Sequence, residues 1–414
     1  MAASIAEIII LCLIADWFFR RMRIPGLIGM LLVGVLLGPY VFGILDPNLL
    51  AIGPDLRLIA LIVILLRVGF ELSRSTLHRI GGRALLLAFI PATIEGAAIT
   101  LAGPWLLGLT LLESAILGSV LAAVSPAVIV PAMIRFTKER RGAAKDIPSM
   151  VMASASVDDV YVIVAHSAIL GIYIGGSVNL LARIASVPLS LTLGIAAGLG
   201  VGVVLYKLFD RFNPRATKRV LILIALSILL VRLQHVIADI LPFAGLVSAM
   251  AIGFIILEKR EGMAHELSAK LAKTWIFAEI ILFAMIGAEV NIAIAWQAGA
   301  MGAAIIAVGL LARSLGVGLC LLGSRLNLKE RLFVAVAFSP KATVQAAIGS
   351  APLLAMRSAG MDTGPGELIL AIAVLSIFLT APAGAWAINA LGRRVLEVAP
   401  ESEHAAYDAA VASS

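Results

Sequence analysis

The chain has 414 residues, of which 61% are hydrophobic and 14% charged, and its mean hydropathy is +1.06. A soluble enzyme carries about half apolar and roughly a quarter charged residues. Composition therefore excludes that class and indicates an all-α polytopic membrane protein. The net charge of +7 is what basic loops beside a membrane would supply, so it gives no reason to expect nucleic acid. Cys12 and Cys320 each lie inside an apolar run and make neither a disulfide framework nor a metal-ligand cluster; no cofactor is called for.

Crossing a hydrocarbon core of about 30 Å takes roughly 20 apolar residues in a helix. On that ruler about thirteen segments follow in chain order, at 4–19, 25–45, 55–73, 83–103, 108–134, 148–176, 184–207, 218–234, 240–257, 271–288, 297–322, 330–355 and 366–391. The first is followed by Arg20, Arg21 and Arg23, not by a small-residue cleavage site, so it is expected to be retained. With the amino terminus outside, 25 of the 32 Lys and Arg residues fall in inner loops, against four outside (Arg57, Arg183, Arg232 and Arg357) and three within spans (Arg67, Arg313 and Lys341). The excess of inner Lys and Arg thus predicts a cell-membrane protein with its amino terminus outside and its carboxyl terminus in the cytoplasm.

Several features recur seven spans apart. Ser125-Pro126-Ala127 in span 5 is echoed by Ser339-Pro340-Lys341 in span 12, Gly69-Phe70-Glu71 in span 3 by Gly287-Ala288-Glu289 in span 10, and Pro25-Gly26-Leu27 by Pro242-Phe243-Ala244. An odd offset makes the copies antiparallel, so spans 1–6 and 8–13 are expected to be two inverted six-helix repeats joined by span 7. A proline inside a helix removes a donor and clashes with the preceding turn. Pro126, Pro131 and Pro340 are therefore expected to break spans 5 and 12, and paired breaks in inverted halves point to a midplane ion site.

Asp158 and Asp159 lie in span 6, roughly 13–15 Å from its start at 1.5 Å per residue. Intramembrane acids cost at least about 2.5–3.5 kcal/mol each and mark ion or proton pathways. Adjacent helical residues point about 100° apart, so one acid should face the ion path and the other a helix partner. Ser154 lies one turn before Asp158, and Ser156 lies three residues before Asp159. Lys341, in the break of span 12, is placed to offset exposed helix ends and to pair with one of the acids. Burial and pairing act in opposite senses on the protonation of such groups. A deprotonated carboxylate is a hard oxygen ligand for Na⁺ or Li⁺ and a protonated one is not, so cation and proton compete for the same oxygens. Glu95 and Arg313, on spans 4 and 11, are expected to form a core ion pair, Arg being unable to release its proton. Arg67 and Glu71 are one turn apart and are read as a snorkelling pair. Gln345 is expected to line the site or satisfy the break, and His166 to be a hydrogen-bonded bystander.

The Asp158-Asp159 pair, the run Pro340-Lys341-Ala342-Thr343-Val344-Gln345-Ala346-Ala347-Ile348-Gly349, and the opening Pro25-Gly26-Leu27-Ile28-Gly29 with Leu36-Leu37-Gly38-Pro39 resemble the monovalent cation/proton antiporters. The closest branch is the double-aspartate one of NhaA-, NapA- and NHA-type sodium/hydrogen exchangers. The resemblance covers essentially the whole chain. It implies the NhaA-like fold with crossed broken helices and a homodimer in the lipid bilayer. It assigns an interface domain to 1–82 and 218–296, a moving core domain to 83–183 and 297–395, a linking helix to 184–217 and a short tail to 396–414. It further implies Na⁺(Li⁺)/H⁺ antiport with Asp159 as principal carrier, Asp158 paired with Lys341, and elevator-type alternating access. Ala127 stands where NhaA-like members carry an acid on the first broken helix. The short tail leaves no room for a nucleotide-binding domain and the chain has no P-loop, so no nucleotide is expected. A K⁺/H⁺ antiporter is the nearest alternative. A bile-acid-type symporter would have no need of Lys341 beside two acids. An intramembrane aspartyl protease needs its acids on separate helices, whereas these are adjacent.

Overall fold

The computed structural model describes residues 1–22, 24–71, 74–175, 180–237, 241 and 243–398. The chain forms α1 (Ala2–Arg21), α2 (Gly26–Leu37), α3 (Pro47–Ala51), α4 (Gly53–Glu71), α5 (Arg74–Leu107), α6 (Leu111–Leu121), α7 (Pro126–Lys138), α8 (Ile147–Ile174), α9 (Leu180–Phe212) and α10 (Ala216–Val236). There follow α11 (Gly245–Lys259), α12 (Glu261–Glu289), α13 (Ile292–Cys320), α14 (Leu328–Ala337), α15 (Thr343–Ile348), α16 (Ala351–Ser358) and α17 (Gly364–Val395). Each predicted segment holds helix. By length and composition, eight stretches among the described residues can cross a membrane, one of them being α6 and α7 taken together.

Local chemistry sets the ends that matter. Span 2 was expected to run to residue 45, but α2 stops at Leu37, where Gly38 turns extended before Pro39; the residue before a proline is pushed out of the helical region. Gly108 takes φ +68°, and Thr110 then opens α6 with a reciprocal capping box to Glu113, which satisfies two of the donors a helix start leaves free. Asn327 and Glu330 do the same for α14.

The helices pack in two groups. In one, α2 lies on α1 and α12, α4 lies on α11 and α12, and α9 and α10 lie on α11. In the other, α5 lies on α13, α6 and α8, while α17 lies on α13, α14 and α7. The short α15 touches α4 and α12 of the first group. Backbones in the first group approach closely. A Cβ on Gly34 would overlap the carbonyl of Ala284, and one on Gly287 would overlap that of Leu31, as at the small-residue interfaces of membrane helices.

Pro126 begins α7 and Pro340 falls in the gap between α14 and α15, so both interrupt their spans as expected. Pro131 does not: α7 runs unbroken through it. The bond its ring removes would have gone to the carbonyl of Ala127, and Ala127 and Pro131 both line a cavity, where an unmade bond is tolerated.

Candidate functional site

The two interruptions lie against each other. The Ser125 N–H donates to the Pro340 carbonyl at 2.8 Å, and Ser125 Oγ accepts from the Thr343 N–H and lies 3.3 Å from Thr343 Oγ1. Breaking a helix frees backbone groups that hydrocarbon cannot satisfy, and side chains from other helices supply the missing partners. Gln345 donates to the carbonyls of Val120 and Ala123 at 3.2 and 2.9 Å. Arg313 donates to the carbonyl of Ala122. Asp158 accepts from the Val124 N–H at 2.8 Å. In the second break, the Lys341 N–H donates to Thr380 Oγ1 at 2.8 Å. Ser339 is satisfied locally, donating its hydroxyl to the Val336 carbonyl.

Four buried charges tie these elements together. Arg313 on α13 reaches Glu95 on α5 at 2.8 Å and Asp158 on α8 at 2.7 Å, and its guanidinium carbon lies 5.6 Å from the centre of the Phe338 ring. Lys341 Nζ lies 2.7 Å from Glu95. The four form a chain with two positive and two negative members, so the formal charges cancel and each ion has a hydrogen-bonded counterion, as burial demands.

This geometry corrects one expectation. Lys341 does not pair with Asp158; its ammonium sits on Glu95, and Arg313 takes Asp158 instead. The planar guanidinium can serve two carboxylates and a carbonyl at once, which leaves Glu95 free to accept the lysine.

Asp159 is different. It is 4% exposed, against 0% for Asp158, yet its Oδ1 is buried with no hydrogen-bond partner among the described residues. Neighbours in sequence thus face different surroundings, one carboxylate held at both oxygens and the other with one oxygen left open. Of the serines expected beside the acids, Ser154 donates its hydroxyl to the Met150 carbonyl at 2.7 Å. The side chain of Ser156 lies outside the described residues. His166 is buried with Nδ1 3.0 Å from Ser119 Oγ. Arg67 Nε is buried with no partner among the described residues, and the side chain of Glu71 lies outside them.

Sequence reading passed over Glu279. It sits within α12 and, with Arg20, Arg135, Pro131 and Asn389, lines a cavity of about 230 Å³ between the two helix groups. The signal was present: an acid in the interior of an otherwise apolar span.

The chain matches known proteins over nearly its whole length. The family described as "Sodium/hydrogen exchanger, transmembrane" matches residues 8–390. Sodium/hydrogen exchanger 9B2 of Mus musculus is 33% identical over 396 residues, covering 92% of this chain and 70% of that protein. Its Homo sapiens counterpart is 33% identical over 382 residues, covering 90% and 70%. Sodium/hydrogen exchanger 9B1 of Homo sapiens is 29% identical over 386 residues, covering 90% and 73%. Among solved structures, the sodium proton antiporter MjNhaP1 from Methanocaldococcus jannaschii at pH 8 superposes with a TM-score of 0.83 at 20% identity, covering 95% of this chain and 98% of that one, which establishes the antiporter fold. The chain belongs to the transmembrane sodium/hydrogen exchanger family, and is an integral membrane transporter, not an enzyme.

Proposed function

We propose that this chain exchanges Na⁺ or Li⁺ for H⁺, with Asp159 as the carboxylate on which cation and proton alternate. The supporting observation is the contrast between the acids: Asp158 is held by Arg313 and the Val124 N–H, whereas Asp159 Oδ1 is buried and unpartnered. A buried carboxylate oxygen with no donor must take up a proton or a cation. Either one neutralises it, and both cannot do so together. Asp158, Glu95, Arg313 and Lys341 then form a permanent, internally neutral scaffold that keeps the crossed breaks in register, with Ser125, Thr343 and Gln345 completing their hydrogen bonds. The carrier is a cargo site for a monovalent ion and holds no resident metal.

Alternation needs the loaded site to change sides. In this reading α5–α8 and α13–α17 form the core domain that carries the site, and α1–α4 with α10–α12 form the interface domain, the two moving against each other elevator-fashion within a homodimer. The sparse apolar contact of α15 with α4 and α12, and the cavity between the groups beside Glu279, support that division. The division also follows the inverted repeats and outside amino terminus expected from the sequence. Because carboxylate oxygens also bind K⁺, K⁺/H⁺ exchange is the second reading.

The test is reconstitution into proteoliposomes with an imposed ΔpH. Pulses of Na⁺ or Li⁺ are expected to dissipate it, K⁺ to do so weakly, and Asp159→Asn to abolish the response while the protein still inserts and folds. A K⁺ response as large as that to Na⁺ would move the assignment to the second reading. Unimpaired exchange by Asp159→Asn would remove the carrier role.

A further inference from the structure

α17 and α7 end side by side. Arg141 Nη1 donates to the carbonyls of Arg393 and Leu396, and the Gly142 N–H donates to the Glu397 carbonyl at 2.8 Å. These bonds fix the last turn of α17 against the chain that follows α7. Beside that junction is an open cavity of about 610 Å³ lined by Arg135, Ala385, Trp386, Asn389, Ala390 and Arg393. Its lining carries two guanidinium groups and no carboxylate. Arg135 gives one nitrogen to Asn389 Oδ1, while its Nε is buried with no acceptor among the described residues. The Arg393 guanidinium has no partner among the described residues.

Along α17, Leu379, Trp386 and Arg393 recur every seven residues and so share one face. Leu379 is 44% exposed, Trp386 is 72% exposed, and Arg393 is exposed. That face runs from aliphatic, through an amphipathic ring of the kind that sits at the headgroup level, to a cation at the helix end. We infer that this cavity seats an anionic phospholipid, its phosphate between Arg135 and Arg393, its glycerol region against Trp386 and one acyl chain along Leu379. A soluble anion would use the two arginines but would leave the tryptophan and leucine without a role, which is why the lipid is the occupant. The seat bridges α17 to α7, the half-helix that Pro126 begins; it shares Arg135, Ala385 and Asn389 with the cavity beside Glu279, and Asp159 does not line it. It depends on the chain spanning a bilayer and not on the exchange mechanism.

The test uses the purified full-length chain, stripped of bound lipid in detergent and titrated with phosphatidylglycerol or phosphatidylcholine while bound lipid is counted by native mass spectrometry. Phosphatidylglycerol is expected to bind the more tightly. Arg393→Gln should weaken it about fivefold, the factor carried by one arginine near a phosphate, and phosphatidylcholine by less, because its choline cation offsets the charge of its phosphate. Trp386→Ala should weaken both lipids. Arg325→Gln, in a different basic loop, should alter neither, and inorganic phosphate should not displace the lipid. Thermal unfolding of each variant shows that it is folded. Wild-type phosphatidylglycerol affinity in Arg393→Gln, equal losses for the two lipids in that variant, or displacement by inorganic phosphate would each overturn the assignment.

Discussion

The two helix groups are held together by different physics. Around α2, α4, α11 and α12, cohesion comes from closeness: Gly34 and Gly287 bring α2 and α12 into backbone contact, and Gly69 and Gly253 do the same for α4 and α11. Lipid tails are as apolar as leucine, so van der Waals packing of small residues is what such an interface has to offer. Around α5, α8, α13 and the breaks, cohesion comes instead from a neutralised chain of buried charge, Asp158–Arg313–Glu95–Lys341. The first arrangement tolerates no added bulk, and its α4–α12 crossing also holds an ion pair, Arg57 with Glu289 at 2.8 Å. The second tolerates no lost partner, and beside it sits the one acid in the α8 pair whose Oδ1 is left open. In the proposed function the two serve together: an apolar wall, and a polar body that holds an uncompensated carboxylate without collapsing on it.

That contrast can be broken by substitution, and the largest effect is expected at its hub. Arg313→Met removes the partner of Asp158 and half the partners of Glu95, and leaving a buried ion unpaired costs about 3–5 kcal/mol. The variant should lose most of its detergent-resistant folded fraction in thermal unfolding monitored by size-exclusion fluorescence. A wild-type unfolding temperature would mean that the charge chain contributes no cohesion. Next comes the apolar wall. Gly287→Leu must separate α2 from α12, at about 1–3 kcal/mol or more for overpacking, read as a lower unfolding temperature in the same assay. A wild-type unfolding temperature would show that the two backbones do not depend on this close approach. The smallest effect belongs to Ser154. Its hydroxyl is committed to the Met150 carbonyl, so Ser154→Ala should change stability by no more than about 1 kcal/mol, the worth of one hydrogen bond, and leave the exchange rate at the wild-type value. A large drop in rate would reinstate it as an ion ligand.

Much of the site was legible because its signals are one-dimensional. The Ser-Pro step that recurs in spans 5 and 12 marks a break, and Pro126 and Pro340 fall at the gaps observed. Two adjacent acids at mid-span must diverge, and Asp158 and Asp159 do. What the order of residues does not encode is which long side chain reaches which counterion. Glu95, Asp158, Arg313 and Lys341 could pair in more than one neutral way, and the choice rests on helix rotation and on guanidinium geometry, which apolar spans with nearly uniform composition around the helix do not reveal. Pro131 escaped for a related reason: its effect depends on whether the orphaned Ala127 carbonyl faces hydrocarbon or a cavity. Glu279 is a lone acid within α12, and only the packing of helices shows the cavity that it shares with Arg20 and Arg135.

The central claim is that cation and proton displace each other from Asp159. It is tested most directly by adding Li⁺ to the purified protein in weakly buffered detergent and recording proton release with a pH indicator. Wild-type protein should release protons on Li⁺ binding. The apparent affinity for Li⁺ should weaken as pH falls, by about tenfold per unit once the carboxyl is protonated, since the cation must then displace a proton to bind. Asp159→Asn should release none. Release by Asp159→Asn equal to that of the wild type, with the same dependence on pH, would contradict the account.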